Sequence, residues 1–177
     1  MTHRSLLASL LLLFSMTACV SIPEGINAVK GFELDRYLGT WYEIARLDHR
    51  FERGLQDVTA TYSLREDGGV RVLNRGFDTD DGEWQEAEGK AFFVVGPDVG
   101  RFKVSFFGPF YGGYNIFELD KQDYQYAMIA GDDRSYLWIL SRTPVLAPEI
   151  REQLLNKARQ EGFNVEGLIF VSHERAS

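Results

Sequence analysis

Few residues in this sequence are placed to do covalent chemistry. The three histidines, His3, His49 and His173, have no second histidine or cysteine at a spacing that would share a metal ion. No Gly-x-Ser-x-Gly segment occurs, so the strained turn that presents a serine nucleophile is missing. The acid pairs Asp80-Asp81 and Asp132-Asp133 fall in turn-forming stretches, where their carboxylates are expected to be solvated. No catalytic residue, metal or cofactor is therefore expected, and an enzyme is disfavoured. Cys19 is the lone cysteine, which rules out a disulfide within the chain and leaves its thiol in need of another use. The excess lies in aromatic rings: 13 Phe, 8 Tyr and 3 Trp in 177 residues. That composition suits recognition of an apolar ligand in a lined cavity. A net charge of −7 disfavours nucleic acid and anionic headgroups as partners held by charge.

The elements that would carry these residues begin with a leader. Arg4 precedes the apolar run Leu6 to Phe14, which is too short for a bilayer-spanning helix of roughly 20 residues. Met16-Thr17-Ala18-Cys19 follows. This arrangement resembles the bacterial lipoprotein signal, which implies cleavage before Cys19 and acylation of its thiol. With Val20 and no Asp after the cysteine, the resemblance implies sorting to the outer membrane. Each buried CH₂ of an acyl chain contributes about 0.8 kcal/mol, so several chains hold durably where one does not. The expected division is a leader over 1–18, an acylated N-terminus and tether over 19–30, and a folded domain over 31–177.

Within that domain, runs rich in Val, Thr, Tyr, Phe and Ile alternate with Gly/Asp clusters. Strands are expected over 41–47, 58–64, 70–75, 84–95, 102–106, 114–119, 126–129 and 136–142, with a kink or bulge at Gly89. Glu66-Asp67-Gly68-Gly69 and Asp78 to Gly82 are turn signals. Eight strands at near-regular spacing point to an all-β, up-and-down antiparallel barrel, which leaves no exposed edge and has room for one small ligand. Pro148 and Gly162 bracket a helix whose stripe Ile150, Leu154 and Ala158 should pack outside the barrel, and 168–171 reads as a short last strand.

At this point the residues carry a family. Gly39-Thr40-Trp41-Tyr42-Glu43 resembles the first lipocalin motif. Leu119-Asp120 with Asp123-Tyr124 and Tyr126-Ala127 resembles the second, and Leu140-Ser141-Arg142 the third. Longer stretches, 36–45, 60–64 and 135–144, are similar to bacterial lipocalins and their plant temperature-induced relatives. The resemblance covers about residues 30–173. It implies that Gly39, Trp41 and Arg142 are structural, with the Arg142 guanidinium over the Trp41 ring at a closed barrel end. It also implies a fatty acid or lysophospholipid as ligand, bound, stored or carried at the cell envelope, with the barrel facing the periplasm. A lipid-modifying enzyme, or a structural envelope protein with an unused cavity, is the alternative.

Strand alternation then nominates the lining. Val58, Ala60, Tyr62 and Leu64 form one inward set; Val70 and Val72, Val104 and Phe106, Tyr114 and Ile116, Ala127 and Ile129, and Tyr136, Trp138 and Leu140 form the others. From these, and from a ring-rich segment read as a mouth loop, the expected ligand contacts are Ala60, Tyr62, Val104, Phe106, Tyr111, Tyr114, Tyr136 and Trp138. Arg46 and the stretch Arg50 to Arg53 are read as a basic first loop that either meets an anionic headgroup or is simply solvated. Pairing of two barrels as a homodimer is left open.

Overall fold

The computed structural model describes residues 20–175, so the expectations for the leader and for acylation of Cys19 lie outside the described residues. The strands β1 (Gly39–Leu47), β2 (Leu55–Leu64), β3 (Val70–Asp78), β4 (Glu83–Phe93), β5 (Arg101–Ser105), β6 (Gly112–Leu119), β7 (Tyr126–Ala130) and β8 (Leu137–Ser141) pair antiparallel in chain order. β1 closes the ring. Its first half, Gly39 to Tyr42, lies opposite Tyr62 to Thr59 of β2, and its second half lies opposite β8 from Ser141 to Trp138. The result is the expected closed eight-stranded barrel. Where β1 parts from β2, a ninth strand, β9 (Leu168–Phe170), pairs with Ala45 to Leu47 and covers the freed edge.

The helix α2 (Pro148–Gln160) starts with proline, whose missing N–H costs nothing in the first turn. It packs outside the barrel against Ile44, Leu47, Phe117, Met128 and Ile139. Its buried face is Leu154, Leu155 and Ala158, with Ile150 only half-buried. The expected stripe omitted Leu155, because a helix lying on a broad wall buries a wider arc than one row of side chains. The same packing explains why Ala127 to Ala130 is fully buried throughout. Ala127 and Ile129 face the interior, while Met128 and Ala130 lie beneath the helix.

Several local expectations are corrected. Gly89 is not a bulge, since β3 and β4 stay in register from Val70↔Ala91 to Asp78↔Glu83. It is instead a close approach: a Cβ there would lie 2.8 Å from the Phe106 ring and 2.9 Å from the Ser105 carbonyl. The bulges fall at Glu43/Ala45, Gln56/Thr59 and Ile116/Glu118. The Gln56/Thr59 bulge separates Val58 from the interior set, and it packs with Leu55 and Val171. Leu64, expected inside, is exposed because β2 runs past the barrel floor at that point. Residues 20–30, expected as a short tether, are docked along the wall. Ser21 N and Oγ donate to Asp132, Val29 N donates to the Ile116 carbonyl, and Ile26 is buried. Asp132 is therefore engaged, not merely solvated.

Because the strands alternate in direction, the connections 48–54, 79–82, 106–111 and 131–136 share one end, the mouth. The connections 65–69, 94–100 and 120–125 share the other, and a short helix α1 (Leu34–Tyr37) precedes β1 there. The described chain thus begins at the mouth, where Ser21 meets Asp132, and reaches the floor at Phe32.

Candidate ligand site

The floor is built by the segment around Trp41. The Trp41 ring is fully buried, and its Nε1 donates to the Tyr37 carbonyl at 2.8 Å. The Arg142 guanidinium sits 4.0 Å over that ring and donates to the carbonyls of Arg36, Thr40 and Tyr124. Gly39 has a φ of 93°, a conformation that a side chain would strain. Phe32, Tyr37 and Tyr124 pack around this plug. The arrangement packs one end of the barrel with buried rings.

Above the floor, the Tyr114 hydroxyl lies 2.7 Å from that of Tyr37 and 2.8 Å from that of Tyr62. Burial pushes all three phenols up, so they stay neutral and satisfy one another. Around them the interior cluster gathers Ala60, Tyr62, Val104, Phe106, Tyr114 and Trp138. Ile116, Ala127 and Ile129, which belong to the same cluster, are fully buried. Ala60, Val104, Phe106, Tyr114 and Trp138 keep part of their surface accessible. Apolar side chains that face inward yet remain accessible form a wall that a guest can cover.

Tyr136 stacks on Trp138 at 6.0 Å between ring centroids. Tyr111 stands apart: it lies with Lys103, whose ammonium is 5.0 Å from its ring, and Lys103 alternates with the inward Phe102 and Val104. That places Tyr111 on the outer wall. The rest of its loop does stand at the mouth, where Phe107 and Phe110 are exposed.

The mouth also holds a polar cluster that strand periodicity conceals. Period two would put Glu43 and Arg46 on opposite faces; the bulge between Glu43 and Ala45 puts both inside. Arg46, expected with the first loop, is a strand residue only 1% exposed. Its Nη1 donates to Glu43 Oε1 at 2.7 Å, and its Nη2 donates to the Glu52 and Leu55 carbonyls at 2.6 and 3.2 Å. Those last two bonds tie down the 48–54 connection. Its Glu52 turns back into the barrel, where Oε2 accepts from Trp138 Nε1 at 3.1 Å and lies 3.0 Å from His49 Nε2. Arg46 Nε is 3.9 Å from the same oxygen.

These two carboxyls part in their ionisation. Burial, aided by Glu52 and opposed by Arg46, pushes Glu43 up to about 8. Burial also raises Glu52, but His49, the Trp138 donor and Arg46 outweigh it and hold this carboxyl below its ordinary value. Arg46 Nε and both ring nitrogens of His49 are buried without a hydrogen-bond partner, so the 3.0 Å approach of His49 Nε2 to Glu52 is a close contact and not an aligned hydrogen bond. Outside the barrel, a cleft of about 290 Å3 between β6 and α2 is lined by Glu118, Gln153 and Lys157, far from the mouth and its rings.

Comparison with known proteins places the chain. A family model described as a lipocalin-like domain matches residues 32–173. The outer membrane lipoprotein Blc of Escherichia coli is 56% identical over 160 residues, covering 89% of this chain and 90% of that protein. Temperature-induced lipocalin-1 of Arabidopsis thaliana is 38% identical, over 81% of this chain and 80% of its own. Among solved structures, insecticyanin from the tobacco hornworm Manduca sexta superposes with a TM-score of 0.70 at 20% identity, covering 89% of each chain, which speaks for the fold alone.

Proposed function

Since the chain belongs to the lipocalin family, we propose that it is a lipid-anchored carrier that binds one small apolar molecule, a fatty acid or a lysophospholipid, at the bacterial outer membrane. The observation that carries this reading is the accessible inward wall of Ala60, Val104, Phe106, Tyr114 and Trp138 above a floor packed with buried rings. The relatives named as outer membrane lipoproteins support the outer-membrane location; the periplasmic face, and Cys19 as the residue to be acylated, are part of the proposal. Ser21, two residues after Cys19, is bonded to Asp132 of a mouth connection, so anchor and mouth share an end. A ligand leaving the bilayer would then have a short path inward.

Energetics favour a long chain. About 16 carbons at ~0.8 kcal/mol per CH₂ give a gross ~13 kcal/mol. Association costs of ~4–15 kcal/mol come off that, which leaves room for micromolar to nanomolar binding. Binding, not turnover, is the role proposed. The mature chain retains His49 and His173; His49 abuts Glu52, and His173 Nε2 lies 2.8 Å from the Glu43 carbonyl. Native mass spectrometry on the delipidated domain is expected to show uptake of one lipid per chain. Absence of uptake across a series of fatty acids and lysophospholipids would remove the carrier reading.

A further inference from the structure

Glu52 is an anion held inside a barrel mouth by groups that would hold any other anionic oxygen equally well. Its Oε2 accepts a hydrogen bond from Trp138 Nε1 at 3.1 Å and has His49 Nε2 at 3.0 Å and Arg46 Nε at 3.9 Å close by, neither of these two aligned to bond it. These three nitrogens come from β8, the 48–54 connection and β1, and they converge on one point. Arg46 is 1% exposed, and its Nε has no hydrogen-bond partner. A buried guanidinium N–H left unsatisfied is costly, and it marks a place where an acceptor belongs. Trp138 belongs at once to this cluster and to the apolar wall, so the polar point and the acyl-chain surface are contiguous.

We propose that Arg46, His49 and Trp138 form the receptor for the headgroup of an acyl ligand that ends in an anionic oxygen, carboxylate or phosphate, and that the Glu52 carboxylate occupies it as an internal stand-in when no ligand is bound. This deepens the carrier reading and rests on it. Displacement needs only a side-chain turn, because Arg46 Nη2 holds the backbone carbonyl of Glu52 and not its carboxylate. The released carboxylate turns outward beside the exposed Arg50 and Arg53. Meanwhile the ligand's anion restores the charge balance next to Arg46. The stand-in keeps an expensive buried cation compensated in the empty carrier. It also makes release a competition, not a simple dissociation.

The expected effect follows from population arithmetic. If Glu52 fills the receptor in about nine molecules of ten, the apparent affinity for an anionic headgroup is lowered about tenfold, and removing the stand-in restores it. The experiment is calorimetric titration of wild type, Glu52→Gln and Glu52→Ala with three C16 or C18 amphiphiles: hexadecanoate, a lysophosphatidate, and hexadecanol as the neutral control. Glu52→Gln keeps the side-chain size and an acceptor for Trp138, so it guards against loss of fold in the alanine variant. Both variants are expected to bind hexadecanoate about tenfold more tightly than wild type, with hexadecanol unchanged. A gain for lysophosphatidate as well assigns the site to oxyanions in general; a gain for hexadecanoate alone assigns it to carboxylates. Hexadecanol binding normally while neither anion gains in either variant would overturn this inference and leave the carrier intact. Failure of all three amphiphiles to bind wild type would overturn both.

Discussion

The Arg142–Trp41 contact provides the sharpest test of where function does not reside. In Arg142→Met the apolar stem is kept and the guanidinium lost. Two short bonds disappear, to the Arg36 carbonyl at 2.7 Å and the Thr40 carbonyl at 3.0 Å; the third, to the Tyr124 carbonyl, is longer at 3.3 Å. Arg36 and Thr40 are exposed residues, so water replaces part of what is lost there, and about 1 kcal/mol for each short bond is reasonable. The guanidinium 4.0 Å from the Trp41 ring centroid adds about 1 kcal/mol at a half-buried site. The expected loss is therefore about 3 kcal/mol, which at a urea slope of about 2 kcal/mol/M moves the unfolding midpoint down by about 1.5 M. Arg142→Lys keeps a charge near the ring but cannot fork between two carbonyls, so it should recover only about a third of the loss. Urea titration followed by tryptophan fluorescence measures both variants. Ligand affinity, measured on the folded fraction, should stay within about twofold because the floor lies at the opposite end from the mouth. A midpoint shift under about 0.5 M would refute the energetic argument. A large fall in affinity with the fold intact would refute the assignment of this motif to structure.

Three further outcomes are expected. Glu43 is held neutral in the folded chain and ionises when the chain unfolds, so the unfolded state binds fewer protons between the ordinary carboxylate range and about 8. Stability should accordingly fall as pH rises through that window, and Glu43→Gln should flatten the slope; a wild-type profile that rises with pH there contradicts the burial argument. Gly89→Ala puts a methyl 2.8 Å from the Phe106 ring and 2.9 Å from the Ser105 carbonyl, which should cost about 1–3 kcal/mol in a denaturation curve and alter ligand affinity through Phe106. Cys19→Ser should move the protein from the membrane to the soluble fraction on cell fractionation, and unchanged membrane retention would point to another anchor.

The architecture was legible because its causes are local. Alternation in 58–64 and 70–75, turns rich in Gly and Asp, and a proline-to-glycine bracket around 148–162 each act within a few residues, and together they specify strands, hairpins and one outer helix. The inward faces of β3, β5, β6, β7 and β8 followed from the same alternation. What alternation could not supply is a break in its own period. One extra residue between Glu43 and Ala45 turns Arg46 inward, and with it the whole mouth cluster, and nothing in the residues 43–46 announces a bulge. The return of Glu52 to Trp138, 86 positions away, and the docking of Ser21 on Asp132, 111 away, arise only once the ring has closed. Sequence by itself determined the barrel and its apolar supply, since those rest on neighbours along the chain. Tertiary structure alone decided the polar chemistry of the mouth, because burial, and not residue type, is what makes Glu43, Arg46, His49 and Glu52 act on one another.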